Sequence, residues 1–251
     1  MTREVQGCTI EEKIHNSSQL SIVLLQVYFK EENIMADKNF ELRTLTFIDS
    51  LQPQLAQFIA KDNRAYDPAE YDAALLLEIA PAMEIHHMID LALKATKVRL
   101  GSVVTERQFG LMQVQHADQG EVMEAGTAVL RETGLDENDR AEVKILTNKI
   151  IRSVEQDHAI MFTGTSKGNM VLAGESVLIM EVTPAAYLAI ACNEALKAAN
   201  VKLVQIKPFG ASGRLTMSGP ESEIDSAAEA AQKILNQLNK MQANRSGTQL
   251  G

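Results

Sequence analysis

The residues of this 251-residue chain that could do chemistry do not come together in any catalytic pattern. A helical zinc site needs two histidines at i and i+4 beside a carboxylate, and His15, His86, His87, His116 and His158 include no such pair. His86 and His87 are adjacent, so on a helix they diverge by about 100° and read as surface or interface groups. Gly164-Thr165-Ser166-Lys167-Gly168 lacks the Gly-x-x-x-x-Gly-Lys-Ser/Thr spacing that aims backbone N–H groups at phosphate, and reads as a turn. Gly210-Ala211-Ser212-Gly213 is neither a dinucleotide fingerprint nor a nucleophile elbow. Cys192 falls on an apolar helical stripe with no histidine assigned to it, the setting of a buried core thiol. The 33 acidic residues offer many accidental pairs for acid–base work, and none stands out. These residues predict no enzyme, no metal site and no cofactor.

The elements that carry them repeat. Ala92-Leu93-Lys94-Ala95 recurs as Ala195-Leu196-Lys197-Ala198, an offset of 103 residues. The same offset joins Glu78 to Glu181, Pro81 to Pro184, Val98 to Val201 and Gly110 to Gly213, and lays Phe47-Ile48-Asp49-Ser50-Leu51 over Ile150-Ile151-Arg152-Ser153-Val154. The predicted organisation is an N-terminal extension (1–40), a first unit (41–143), a second unit (144–240) and a C-terminal tail (241–251).

Within each unit the apolar period alternates between strand and helix. Leu75 to Ile79 and Val177 to Val182 are short apolar runs closed by proline, as buried strands are. Ile85, Met88, Ile89 and Ala92, and likewise Leu188, Ala191, Cys192 and Ala195, fall at i, i+3, i+4 and i+7 and predict one apolar stripe per helix. Thr183-Pro184 reads as a helix start, and Asp118 with Glu121 and Ser218 with Glu221 have capping-box spacing. Short strands are expected at 111–114 and 215–217. The prediction is two copies of an α+β unit with a mostly antiparallel sheet and helices on one face. The alanine-rich helices bury little area each, so subunit contacts should complete the stability.

Composition narrows the class. Apolar residues make up 45% and charged residues 23%, close to the globular averages. The formal net charge of −9 repels a phosphate backbone, so nucleic acid is not an expected partner. Ser21 to Phe29, interrupted by Gln26, falls short of the roughly 18–20 apolar residues that span a bilayer, so no membrane span is expected. The acidic residues Glu4, Glu11 and Glu12 before it do not suit a secretion signal. Two cysteines, Cys8 and Cys192, fit a reducing, cytoplasmic compartment. Residues 1–34 differ from the rest, and Met35-Ala36-Asp37-Lys38 reads like an ordinary polar start, so residues 1–40 are expected to be disordered or absent from the native chain.

Residues 184–201, ending Leu-Lys-Ala-Ala-Asn-Val, resemble the signature helix of bacterial microcompartment shell domains. Glu41-Leu42-Arg43-Thr44, the stretch Phe47 to Ala56 and Phe209-Gly210-Ala211-Ser212-Gly213-Arg214-Leu215 resemble the tandem-domain, trimer-forming shell proteins of carboxysomes. The resemblance covers about residues 41–240. It implies two circularly permuted shell domains, and three chains closing into a pseudohexameric tile that can stack face to face with a second trimer. It also implies other shell proteins as partners, a place in the shell of a cytoplasmic microcompartment used in carbon fixation, and passage of small anionic metabolites such as sugar phosphates.

The resemblance assigns roles as well. Glu106 and Arg107, in Thr105-Glu106-Arg107-Gln108-Phe109-Gly110, match an adjacent Glu-Arg pair that gates the central pore. The second unit has Phe209 and Gly210 there, so Phe209, Gly210, Ala211, Ser212 and Gly213 are expected to shape the rim without a second gate. Lys94 and Lys197 match a lysine at the tile edge. From the residues alone, Glu106-Arg107 is an ordinary solvated pair and each lysine an ordinary helix-end cation. Two departures stand out: the polar, acidic segment Asn63 to Asp72, and Thr163 to Gly168 in place of a more basic turn, which weakens the case for a metabolite pocket between stacked tiles. The competing reading is a trimeric metabolite-sensing protein that never tiles.

Overall fold

A computed structural model describes residues 40–62 and 68–248. Residues 1–39 of the expected N-terminal extension, with Cys8, His15 and Met35, lie outside the described residues, as does 63–67 of the polar segment, whereas Phe40 packs against the first unit's core. The first unit runs β1 (Glu41–Ile48), α1 (Pro53–Asp62), β2 (Ala73–Ala80), α2 (Ile85–Ala95), β3 (Arg99–Glu106), β4 (Phe109–His116) and α3 (Gln119–Thr133). The second repeats it as β5 (Lys144–Ile151), α4 (Gln156–Thr165), β6 (Ser176–Thr183), α5 (Tyr187–Ala198), β7 (Lys202–Lys207), β8 (Gly213–Gly219) and α6 (Glu221–Thr248). The last helix thus continues through residues assigned from the sequence to a tail.

Each unit forms one four-stranded antiparallel sheet, in the orders β1-β2-β4-β3 and β5-β6-β8-β7. The equivalence is detailed. Bulges interrupt β1 between Leu42 and Thr44 and β5 between Ile145 and Thr147. The loop after each first strand is tied down in the same way: Leu51 N donates to Asp72 O at 2.9 Å and Val154 N to Glu175 O at 2.8 Å. Both anchors use a left-handed residue, Tyr71 (φ 67°) in one unit and Gly174 (φ 87°) in the other. Gly110 and Gly213 are equivalent for steric reasons, since a Cβ would stand 2.3 Å from Ala82 O in the first case and 2.5 Å from Ala185 O in the second.

The helical stripes are buried as their spacing predicts, but two start signals work differently. Thr183 is the last residue of β6, its hydroxyl 3.4 Å from Ala211 O, and α5 begins only at Tyr187. Asp118 does cap α3, accepting from Gly120 N at 2.8 Å, whereas Ser218 belongs to β8 and caps nothing. The acidic residues serve another end. Glu121 accepts from Lys97 N at 2.8 Å and Glu223 from Asn200 N at 2.7 Å, so each closing helix pins the chain leaving the one before it.

Helices on one face describe only part of the packing. Alternate residues of β2, Leu75, Leu77 and Ile79, join α2 and α3 in the first unit's own core. Ala74 and Leu76 face the other way, into a larger cluster shared by the two units. There Ile48, Leu51, Leu55, Phe58 and Leu111 meet Leu178, Met180, Tyr187, Leu188 and Leu215. The two repeated units therefore share one core within a compact body.

Candidate functional site

The strand–turn–strand tip between β3 and β4 holds Glu106 as the last residue of β3 and Arg107 in the turn, with φ 56°. The tip lies against the loop between β7 and β8, which carries Phe209 to Ser212. The Glu106 carboxylate is 3.6 Å from Lys207 Nζ, and a Cβ on Gly210 would stand 3.4 Å from the same carboxylate oxygens. Gly210 itself has φ 97°, a backbone that suits glycine. The candidate gate of one unit and the candidate rim of the other are thus neighbours within one chain. Arg107 has no ion-pair partner among the described residues, and Glu106 pairs with a lysine of the second unit.

Three charged side chains to which the sequence assigned no role hold this region. Arg43 stacks its guanidinium 3.7 Å from the centroid of Phe109, directly after the gate turn, and donates to Glu78 Oε1 at 2.9 Å. Glu78, 1% exposed, also accepts from Ala186 N at 2.8 Å, at the start of α5. Burial pushes the Glu78 carboxyl above its ordinary value, although the bonds from Ala186 and Arg43 oppose the shift. Lys207 lies 4.8 Å from the centroid of Phe209. The Glu78–Glu181 match and the string Glu41-Leu42-Arg43-Thr44 were the signals in the sequence. Glu181 is less buried and takes Ser212 Oγ at 2.5 Å, which orders the rim.

The two edge candidates differ. Lys94 is exposed and, among the described residues, pairs along its own helix with Asp90 at 2.6 Å. Lys197 bonds Asp49 of the first unit at 2.7 Å and Glu194 at 2.9 Å. Burial opposes its charge, but those two bonds outweigh it and raise the ammonium's pKa, while the Lys197 hydrogen bond lowers that of Asp49. Cys192 is fully buried, which pushes its thiol up and keeps it protonated. A cavity of about 540 Å³ lies at the junction, lined largely by apolar groups including Leu55, Phe58, Val104, Ile206 and Phe209.

The junction is built from α5 of the second unit docked on β1 and α1 of the first. Asn193 Oδ1 accepts from Gln52 N at 2.9 Å and Nδ2 donates to Ser50 O at 3.1 Å. Gln54 spans to β7, accepting from Leu203 N and donating to Val201 O, each at 2.8 Å. Tyr187, fully buried, donates to Ala141 O at 2.9 Å. The repeat supplies a second set of both docking faces, and these are open. Met83 and Leu93, equivalent to the docked Ala186 and Leu196, are 68% and 40% exposed. Met161, equivalent to buried Phe58, is 55% exposed, and Ile160, Met170 and Leu172, which line one shallow concavity of the same unit, are exposed as well.

Comparison with known proteins bears on these faces. A family model described as the CsoS1D N-terminal domain matches residues 42–139, and one described as the BMC domain matches 176–245. The chain is 46% identical over 199 residues to carboxysome shell protein CsoS1D of Hydrogenovibrio crunogenus, covering 79% of this chain and 97% of the relative. It is 42% identical over 198 residues to carboxysome shell protein CcmP of Synechococcus elongatus, covering 79% and 93%. Among solved structures, the fused permuted hexameric shell protein MSM0275 of the RMM microcompartment superposes with a TM-score of 0.78 at 39% identity, over 79% of this chain and 98% of that one. The double ringed trimeric shell protein MSM0271 superposes with a TM-score of 0.76 at 35% identity, over 78% and 96%.

Proposed function

Because this chain belongs to the tandem-domain family of carboxysome shell proteins that includes CsoS1D and CcmP, we propose that three copies close into a pseudohexameric tile with a gated central pore. It is a structural protein of the carboxysome shell, not an enzyme.

The observation that carries the assembly is the open second junction. Within one chain α5 docks on β1 and α1 at the junction between the units, while the equivalent faces of α2 and α4 are exposed. Docking α2 of one copy on α4 of the next repeats the internal contact head to tail, and three chains complete a six-unit ring. Asp90 stands where Asn193 stands in the internal contact, ready to accept a backbone N–H of its neighbour. Two such trimers can stack. Lys94 is the better placed of the two edge lysines to meet a neighbouring tile, because the Lys197 ammonium is engaged within the chain.

Around the threefold axis, Glu106 and Arg107 supply three carboxylates and three guanidiniums, with Phe209 to Gly213 forming the rest of the rim. Exposed ion pairs contribute ~0.2–1 kcal/mol each, so three bias two pore states without locking either. Each chain carries a formal charge of −9, so the arginine ring is what favours small anionic metabolites against the negative field of the tile. Flux of a sugar phosphate and of a neutral sugar through reconstituted shells tests this reading. Arg107→Glu should slow the anion and spare the neutral sugar, and equal effects on both, or none, overturn it.

A further inference from the structure

The partner of Glu106 is the part of the gate that the resemblance does not account for. An adjacent Glu-Arg pair implies a gate closed within the first unit's own loops, yet here the carboxylate reaches Lys207, the last residue of β7 in the second unit, at 3.6 Å. The contact has a built setting. The Lys207 ammonium lies 4.8 Å from the centroid of Phe209, a position an aromatic face favours for a cation. Residue 210 has no side chain and a left-handed backbone, which lets the Glu106 carboxylate lie directly against the rim. Any larger residue would meet that carboxylate at about van der Waals distance and would also be strained by φ 97°. Both side chains remain two-fifths exposed, so the pair is free to part.

We propose that Lys207 is a positioning residue of the gate, which draws Glu106 onto the second unit's rim and so releases the neighbouring Arg107 to face the pore. Glu106 then has two alternative cationic partners, Lys207 within its own chain and an Arg107 guanidinium at the axis. Exchange between them needs only side-chain rotation, because the two strand ends stay paired with their own sheets. The lysine sets the balance of the two states, while the arginine sets the charge that a permeating solute meets. This assignment rests on the pore-gate reading above and adds a residue from the other repeat to it.

A double-mutant comparison tests it, using full-length trimers in reconstituted shells with a sugar phosphate as the probe. Lys207→Met keeps the aliphatic stem against Phe209 and removes only the charge. It should change sugar phosphate flux by about 1.4- to 5-fold, the range set by one exposed ion pair. In a Glu106→Gln background the same substitution should change nothing further, because the interaction it removes is already gone. A Lys207→Met effect of equal size with and without the Glu106 carboxylate overturns the role of Lys207 while leaving the gate intact. If neither Glu106→Gln nor Lys207→Met alters flux, the gate reading itself is overturned, and this inference with it. Lys207→Arg supplies the conservative control. It restores a cation at the same place and should return flux toward the native value, whereas a lysine needed only for packing would be served equally well by Met.

Discussion

The side-chain amide of Asn193 in the second unit closes on the backbone N–H of Gln52 in the first, at 2.9 Å, and donates back to the carbonyl of Ser50 at 3.1 Å. A fully buried side chain on α5 thereby does the work of a strand partner for the turn after β1. Asn193→Ala leaves both backbone groups short of partners, at a cost of ~1–3 kcal/mol for each buried group left unpaired. Denaturant titration should give an unfolding free energy lowered by that amount, seen as a lower midpoint with no change in slope, and an unchanged midpoint would remove the amide from this role.

Glu78 supplies a second test of the junction. Glu78→Ala leaves the largely buried guanidinium of Arg43 with only the exposed Glu41 carboxylate at 3.3 Å and leaves the Ala186 N–H unpaired, so a loss towards the lower end of ~3–5 kcal/mol is expected. Glu78→Gln separates charge from hydrogen bonding. Because burial raises the carboxyl's folded-state pKa above its unfolded value, its contribution is fully present below the unfolded value and is lost as pH rises through the folded one. Stability curves of the Gln variant and the native protein should therefore shift in favour of Gln as the pH rises from acid to neutral. A difference independent of pH would contradict the assignment.

The Lys197–Asp49 pair has the opposite dependence at its acid end. Asp49 is held below its ordinary value of 3.8, chiefly by the Lys197 hydrogen bond, so its contribution is lost as pH falls through that depressed value. Lys197 is raised above 10.5, so the pair is also lost as pH rises beyond that range. Both groups are partly exposed, which limits the effect of Lys197→Met at neutral pH to below ~1 kcal/mol. Measured by isothermal denaturation, the gap between variant and native protein should close at both extremes.

Assembly is checked at the exposed copy of the docking face. Met161 stands where Phe58 is buried in the internal junction, and burying such a side chain contributes ~1.5–3 kcal/mol. Met161→Glu puts a charge there instead and should turn trimers into folded monomers at micromolar concentration, read by light scattering with unchanged circular dichroism. Trimers that persist would move the interface elsewhere.

Much of this molecule is legible from the residue order because its information is local or periodic. Spacing placed β2, β6 and the stripes of α2 and α5, since one buried face per helix imposes the 3.6-residue period wherever the helix packs. The 103-residue repeat pointed to two copies of one α+β unit for the same reason, as each unit must build the same sheet from its own strands, while the shell-protein fold came from the resemblance carried by the separated matching strings. Spacing misplaced Ser218 and Thr183, because a hydroxyl ahead of a helix caps only if its backbone leaves the strand in time, and both residues are still paired in the sheet. The three-dimensional structure alone decided which copy of each repeated residue is buried. Phe58 and Met161, or Asn193 and Asp90, are equivalent in sequence, but a single covalent linker lets one chain satisfy only one of its two junctions. The same holds for Glu106 and Lys207, which stand far apart in the chain and meet because the shared core brings the ends of β3 and β7 side by side.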